Sequence, residues 1–492
     1  MNTAQPTLFP LEFNPSLRVE PRPERLTVDA GAVLLRRVIH RLRYTRDLAR
    51  HLRDTRNPDL ITHPLEEMLN TALLMFAQGW RDEDDADELR DDPVFRLSVS
   101  TRRGLSPLAQ RPDEERRRDK NPEHPDGLAS QPTLSRMLRM LSPEDNRRVL
   151  RDTLLLKAAH RIKANNRGHR LRYVTLDVDS LPISVSGHQP GSAYNGHYHE
   201  RVYHPLIASI AELGDILDAT LREGNVHTAN GSVDFILPLI DLVEKHICQV
   251  ANVRFDAGFP EENVLSALEN RSIGYAARIK NNPVLDRKAA PFLKLPPGRP
   301  PKEPRVWFYE DTYQAESWSH ARRVVLVVLE RRDEPQGELF PHHFWLITNW
   351  TMKQIAGDDL LEHYRERGTA EGHQGELMSV LDPALHSSPR PKTHYRHHVP
   401  KNLTPSGDSF AINEVILLLN VMAYNLTHTL RVMTETATKE GWSLRRVRER
   451  VLKVAARVVL HGRRAIMVVN TTTARHWKSL WPKFGTLDLA EA

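Results

Sequence analysis

Two aspartates close the most strand-like segment of the chain. Residues 171–180, LRYVTLDVDS, repeat with a period of two, so their inner apolar residues point to one side of a β-strand. Asp177 and Asp179 then share the other side. An isolated Asp-x-Asp is usually an ordinary turn, but acids at the end of a buried strand can also bind a divalent cation. The spacing alone leaves both interpretations open.

Two further segments carry acids that could complete such a site. A second strand-like run, VANVRFDAGF, leads to Asp256. Downstream, Tyr364, Arg367 and Glu371 are spaced three and four positions apart, which places them on one face of a helix. Three carboxylates on separate elements, with an arginine beside one of them, match the ligands of a divalent-metal site for phosphodiester chemistry. The first ligand would be one of the two strand-end aspartates.

These segments resemble the DDE-type transposases of bacterial insertion sequences, in the group 1 family whose third acid follows a Tyr-x-x-Arg-x-x-x-Glu pattern. The resemblance runs from about Asp126 to about Arg464 and covers most of the chain. The matching segments, in the family's order, are LDVDSLPISVSGHQPGSAYNGHYHERVYHPL, GNVHTANGS, RFDAGF, SWSHARRVVLVVLE, YRERGTAE and AYNLTHTLR.

The resemblance implies a function and its partners. It implies a DNA transposase that binds the terminal inverted repeats of an insertion sequence and catalyses metal-dependent strand cleavage and strand transfer into target DNA. Hard oxygen ligands favour Mg²⁺ or Mn²⁺ over zinc. Because two DNA ends are cut in one complex, we expect at least a homodimer on double-stranded DNA.

The resemblance also assigns roles to single residues. The implied catalytic residues and metal ligands are Asp179, Asp256 and Glu371. Asp179 is preferred over Asp177 because the Asp-Ser that follows the strand aligns better with the family's first acidic motif. Tyr364 and Arg367 are expected to contact a DNA phosphate near the scissile bond, since a guanidinium can grip phosphate oxygens in a bidentate way.

Three positions depart from the family pattern. Leu181 stands where the family has threonine, Gly372 where it often has asparagine, and Met378 where it has a basic residue. A missing lysine at 378 removes a phosphate contact without touching the metal ligands. Met378 keeps open the alternative of a catalytically silent DNA-binding derivative. A metal-dependent nuclease on the same fold, which hydrolyses DNA without strand transfer, is a second alternative.

The order of predicted elements indicates an α/β protein. Three strands, a helix, a strand, a helix and a strand between 171 and 279 match a ribonuclease H-like catalytic core, with a β-rich insertion after it and a helical DNA-binding region before it. The predicted divisions are a flexible arm (1–25), a helical DNA-end-binding region (26–165), the first part of the core (166–282), the insertion (283–352), the last part of the core (353–435) and a basic C-terminal region (436–492).

The N-terminal helices and the insertion each have two interpretations. The arginine-rich helices of 26–165 could read DNA ends or could be a scaffold with solvated arginines, and only the family resemblance favours DNA. Within the insertion, four tryptophans could stack on bases, although strand tryptophans usually pack in the core. They are Trp307, Trp318, Trp345 and Trp350.

The composition predicts a soluble protein with a mildly basic charge. Lys and Arg total 69 against 63 Asp and Glu, which gives a net charge of +6 and a pI near 9.3, and this fits a polyanionic partner without establishing one. The single cysteine, Cys248, excludes an intrachain disulfide and a cysteine zinc cluster. With neither a signal-like N-terminus nor an apolar run of about 18 residues, we expect a cytoplasmic, nucleoid-associated protein.

Overall fold

The computed structural model describes most of the chain. The described ranges are 13–14, 16–17, 23–102, 104–109, 127–165, 171–186, 189–196, 198–294, 305–330, 341–387 and 408–487. Most of the predicted arm, residues 1–25, therefore lies outside the described residues.

Strands and helices alternate through the described ranges. The strands are β1 (Arg25–Thr27), β2 (Tyr173–Ser180), β3 (Ile183–Ser184), β4 (Ala193–Asn195), β5 (Glu200–Tyr203), β6 (Leu206–Ile210), β7 (Ile216–Thr220), β8 (Gln249–Phe255), β9 (Gly274–Ile279), β10 (Arg305–Tyr313), β11 (Arg322–Glu330), β12 (His342–Thr348), β13 (Ala456–His461) and β14 (Arg464–Val468). The α-helices are α1 (Ala32–Arg41), α2 (Tyr44–His51), α3 (Leu65–Gln78), α4 (Asp85–Glu88), α5 (Pro93–Val99), α6 (Gln131–Leu141), α7 (Glu144–Asn165), α8 (Ser232–His246), α9 (Glu262–Asn270), α10 (Pro283–Ala289), α11 (Gly357–Arg365), α12 (Arg367–Glu376), α13 (Asp408–Thr438), α14 (Leu444–Val447) and α15 (Thr471–Leu480).

An eight-stranded mixed sheet forms the centre, in the order β10-β11-β12-β9-β8-β2-β6-β7. The neighbours β2 and β8 run parallel, as do β8 and β9, whereas the other adjacent strands are antiparallel. A small sheet, β3-β5-β4, lies between β2 and β6 in the chain. The predicted α/β class is confirmed, and the carboxyl ends of β2 and β8 meet at one edge of the sheet.

The strands predicted for the insertion extend this same sheet. β12 pairs with β9, and β11 and β10 follow outward. Within the predicted β-rich insertion, the segment TYQAESW (312–318) has strand-like composition but is not a strand of its own. Its first two residues finish β10, which stays paired with β11 up to Tyr313 opposite Arg322, and the chain then turns. Because pairing with a neighbour defines a strand, local composition misplaced this boundary.

Helices cover both faces of the sheet. On one face, α7, α8 and α9 pack on the inward side chains of β2 and β8, with Leu176 and Val253 among the fully buried residues. On the other face, Leu360 and Leu361 of α11 pack against Val325 and Leu346. This three-layer arrangement buries the apolar side chains of both sheet faces, as a mixed sheet requires.

The long helix α13 joins the two ends of the chain. Leu418 lies in one core with Leu34 of α1 and Leu73 of α3, and β1 pairs with β13. The segment Ser409–Thr438 is, within the described part of the chain, the one helix long and apolar enough to cross a membrane, at a mean hydropathy of 1.4, but 89% of its most apolar window is buried inside the protein. Packing thus connects segments that the predicted boundaries at 165 and 435 separate, and those boundaries stay predictions.

Trp345→Ala is expected to lower the free energy of unfolding by about 3–5 kcal/mol. Trp345 is 1% exposed and lies between Leu326 and Ile279 of the neighbouring strands. Trp345→Phe is expected to cost only about 1 kcal/mol, because the indole N–H has no hydrogen-bond partner among the described residues. Urea unfolding measures both changes. A phenylalanine variant of normal stability that loses DNA binding would instead support base stacking by this tryptophan.

Candidate functional site

Two aspartates meet where β2 and β8 end. Asp177 lies opposite Arg254 in the parallel pair, and two positions later on each strand come Asp179 and Asp256, on the same face of the sheet. A backbone N–H holds each carboxylate: Ser180 N donates to Asp179 Oδ1 over 2.9 Å, and Gly258 N donates to Asp256 Oδ1 over 2.8 Å. The predicted pair of strand-end acids therefore shares one site.

The third acid arrives on a broken helix. A single helix was predicted to carry Tyr364, Arg367 and Glu371, but the structure ends α11 at Arg365 and begins α12 at Arg367, with Glu366 between them. Tyr364 thus belongs to α11. Arg367 and Glu371 keep their spacing of four within α12.

The helix α12 is weak by composition. Its ten residues, RGTAEGHQGE, include Gly368, Gly372 and Gly375, and an interior glycine costs about 1 kcal/mol relative to alanine. It passes directly into a π-helical turn at Leu377–Leu381. The helix therefore depends on tertiary contacts to stay in place.

Arg367 joins the elements of the site. Its Nη1 donates to Asp179 Oδ2 over 2.9 Å, and its Nη2 donates to Glu371 Oε1. The guanidinium carbon lies 5.8 Å from the centre of the Tyr364 ring. The structure therefore brings together the five residues that the sequence singled out, with Asp256 close enough to act electrostatically on Asp179 and Arg367.

The electrostatics of the site favour added positive charge. Burial raises the pKa of Asp179 to about 6; Arg367 opposes this rise, and the charges of Asp256 and Glu371 add to it. Burial acts to lower the pKa of Arg367, but the charge of Asp179 and the other acids raises it overall. A second cation beside these carboxylates would be stabilised because one arginine faces three acids.

The donor set fits a hard divalent cation. All three acids offer carboxylate oxygens, which such ions prefer. Across the described ranges, no set of three or more His, Cys, Asp or Glu side chains converges closely enough to hold one metal ion. Arg367 instead connects Asp179 to Glu371, whose side chain is 52% exposed. The residue types suit a divalent ion, and Arg367 lies between two of the carboxylates.

Asp177, the alternative first ligand, has a different environment. Its side chain is 2% exposed, and both of its oxygens accept hydrogen bonds from Arg254, at 2.7 and 2.8 Å. Burial raises the pKa of Asp177, although Arg254 opposes the rise. The structure thus places Asp177 in a buried ion pair with Arg254, whereas Asp179, whose side chain is 15% exposed, contacts Arg367.

Several site residues were not found from the sequence. His204 Nε2 lies 3.0 Å from the Ser180 hydroxyl oxygen, and the Tyr198 ring packs edge-on against His204 at 6.2 Å. No local signal marks these two, since they reach the site only by tertiary packing. Arg254 could have been found, because its position two residues before Asp256 puts both on the same strand face.

The structure shows the environments of two positions that depart from the family pattern, Met378 and Gly372. Met378 is half-buried and packs against the helical core. A Cβ atom at Gly372 would meet no other atom within 4 Å, so a larger residue there has room.

Comparison of the sequence with known protein families shows a match over most of the chain. The family model described as "Transposase DDE domain group 1" matches residues 9–378 and 400–478. No match was found among curated proteins. Among solved structures, the chain is similar to the piggyBac transposase in its cryo-EM synaptic complex with hairpin DNA, at 12% identity and a TM-score of 0.39, over 95% of this chain and 87% of that one.

Proposed function

The chain belongs to the transposase DDE domain group 1 family, and from this premise we propose that it is a DNA transposase. It binds the terminal inverted repeats of an insertion sequence, cleaves them with divalent metal and joins the freed 3′ ends to target DNA. The observation that carries the proposal is the meeting of Asp179, Asp256 and Arg367 at the adjacent ends of two parallel strands, with Glu371 on the same arginine.

The strand order supports a ribonuclease H-like core. Reading outward from β7, the sheet runs β7, β6, β2, β8 and β9, with β2 antiparallel to β6 and parallel to β8. This is the order expected from three antiparallel strands followed by two helix-connected parallel strands. It brings the first and fourth of these strands side by side, as the chemistry requires.

The acids and Arg367 have separate tasks in the proposed reaction. Asp179, Asp256 and Glu371 would hold Mg²⁺ or Mn²⁺, which when bound activates a water or a 3′-hydroxyl and stabilises the leaving 3′ oxygen. Arg367 can turn from the carboxylates to a DNA phosphate, because its planar fork matches two phosphate oxygens as well as two carboxylate oxygens. Tyr364, half-buried beside Arg367, would support the same phosphate.

The N-terminal helices supply a surface for the DNA ends. Arg46 and Arg50 are exposed on one face of α2 at a spacing of four, and Arg43 is exposed just before the helix, so together they form a basic surface. We assign end binding to the predicted region 26–165, in a homodimer that holds two ends on cytoplasmic DNA. Phosphate contacts of this kind make binding fall steeply with salt.

The affinity of the site for Mn²⁺ is expected to fall about tenfold per pH unit below pH 6. The physical reason is competition: burial raises the pKa of Asp179 to about 6 from an ordinary 3.8, so below that value a proton must leave before the metal binds. Titration calorimetry at several pH values measures the affinity. Asp179→Asn should lose this pH step, and a step near the ordinary aspartate pKa in the native protein would contradict the assignment.

The test of the proposed function is a cleavage and joining reaction. A labelled linear DNA that carries the DNA flanking the coding sequence is incubated with the protein and Mg²⁺ or Mn²⁺, with scrambled ends as control. We expect metal-dependent nicks at the repeat boundary and joined products. Specific binding without cleavage would support the catalytically silent derivative, and cleavage without end preference or joining would support the nuclease.

A further inference from the structure

A buried ion pair lies directly beneath the two strand-end acids. Arg254 is 1% exposed, and its Nε and Nη2 donate to the two oxygens of Asp177 on the neighbouring strand. The pair faces the same side of the sheet as the acids, one alternation deeper. Burying two charges costs desolvation energy, so the ion pair by itself is weak evidence for a gain in stability. The role of the pair therefore has to be read from the other contacts of Arg254.

The free end of Arg254 reaches the break between α11 and α12. Its Nη1 donates to the backbone carbonyl of His363 over 2.7 Å and to Glu366 Oε2 over 2.9 Å. His363 in turn lies 2.9 Å from the Asn252 side-chain oxygen, through its Nε2. Arg254 thus ties the last turn of α11, and the residue just before Arg367, to the strand that carries Asp256.

The other end of α12 is tied in the same way. Arg431 of α13 is 5% exposed; its Nη1 donates to Glu376 Oε2, and its Nη2 lies 2.9 Å from His373 Nδ1. Glu376 Oε1 also accepts the backbone N–H of Leu444 over 2.8 Å. A second buried arginine therefore grips the last turns of the glycine-rich helix.

We propose that Arg254 and Arg431 are positioning residues that hold the two ends of α12 and so set where Glu371 and Arg367 stand relative to Asp179 and Asp256. A helix with three glycines in ten residues has little stability of its own, so it depends on tertiary contacts, and these two hold its ends. The expected effect on DNA cleavage rests on the proposed function. The positioning of α12 by the two arginines does not depend on it. Groups that orient metal ligands in this way commonly change metal affinity about 10- to 100-fold when they are removed.

The experiment compares variants of the full chain by amide hydrogen exchange, by Mn²⁺ titration and by cleavage of repeat-end DNA. Arg254→Gln and Arg431→Gln should speed exchange across α12 about tenfold or more and weaken Mn²⁺ binding about 10- to 100-fold. End binding in Ca²⁺ should not change. Arg254→Lys keeps a charge beside Asp177 but cannot make the forked contacts, so it should fold normally and still loosen α12. Glu366→Gln removes only a 63% exposed partner and should give a smaller change.

Arg322→Gln is the matched control. Arg322 is also buried, at 3% exposure, and binds two acids, Glu262 and Glu269, but on the opposite face of the sheet. It should lower stability to a similar degree while leaving α12 exchange and Mn²⁺ affinity unchanged. Equal effects from Arg322→Gln, or unchanged α12 exchange in Arg254→Lys and Arg431→Gln, would overturn the proposal. Faster α12 exchange in a protein that never cleaves DNA would support the hold and refute the transposase.

Discussion

Glu371→Gln is expected to abolish metal-dependent cleavage at a repeat end while leaving the fold intact. Its side chain is 52% exposed, and its contact with Arg367 is a surface ion pair worth about 0–1 kcal/mol, so folding loses little. Loss of one metal ligand removes several kcal/mol of transition-state stabilisation, and about 4 kcal/mol corresponds to about 10³-fold in rate. Single-turnover cleavage of a labelled end, with thermal unfolding of the same preparation, measures both quantities.

Glu362→Gln is the control for this result. Glu362 is an exposed acid on α11, on the adjoining helix, and lies outside the proposed ligand set. The Glu362→Gln variant should cleave the labelled DNA end at the native rate. If Glu371→Gln retained cleavage within about threefold, Glu371 would not be a metal ligand and the site would have to be completed by another residue.

Asp177→Asn and Asp179→Asn are expected to fail in opposite ways. Asparagine at 177 removes the buried charge partner of Arg254 and leaves it only the exposed Glu366, and breaking a buried ion pair typically costs about 3–5 kcal/mol of stability. Asparagine at 179 removes a carboxylate that burial already penalises, so the metal-free protein should be as stable as the native one or more stable. The Asp179→Asn variant should lose DNA cleavage although it is folded. The Asp177→Asn variant should lose DNA cleavage only to the extent that it unfolds.

The sign of the pH effect separates the two further. The folded pKa of Asp179, about 6, lies above its ordinary value of 3.8, so this group favours the folded state below pH 4 and loses that contribution as the pH rises through 6. Urea unfolding of the metal-free protein across this window should show the loss in the native chain and not in Asp179→Asn. Normal Mn²⁺ binding by Asp179→Asn, together with lost binding in a stable Asp177→Asn protein, would reverse the two assignments.

Local periodicity decided those features that depend on neighbouring residues alone. The alternation in β2 predicted that Asp177 and Asp179 share a face opposite the apolar residues, and the structure confirms it. The spacing of Arg367 and Glu371 predicted one helix face, and within α12 that is also confirmed. Such features need only the repeat of a strand or a helix.

The same sequence patterns predicted the strands of the sheet, but they did not predict which strands pair with each other. The boundary of β10 depends on pairing with β11, so composition misplaced it. The interruption at Glu366, a single residue that keeps helical backbone angles, was not predicted from the spacing. The apolar sequence of α13 indicates a buried helix, but no local signal shows that helices from the other end of the chain bury it.

The sequence by itself determined which residue types could do the chemistry and which side of their strand or helix they occupy. Only the tertiary structure decided that Asp177 pairs with Arg254 while Asp179 meets Arg367, although the two acids share a strand face and differ by two positions. The physical reason is depth: two positions along β2 separate a carboxylate that is 2% exposed from one near the end of the strand that is 15% exposed. Which elements cover it is a matter of long-range packing, which no repeat within one strand records.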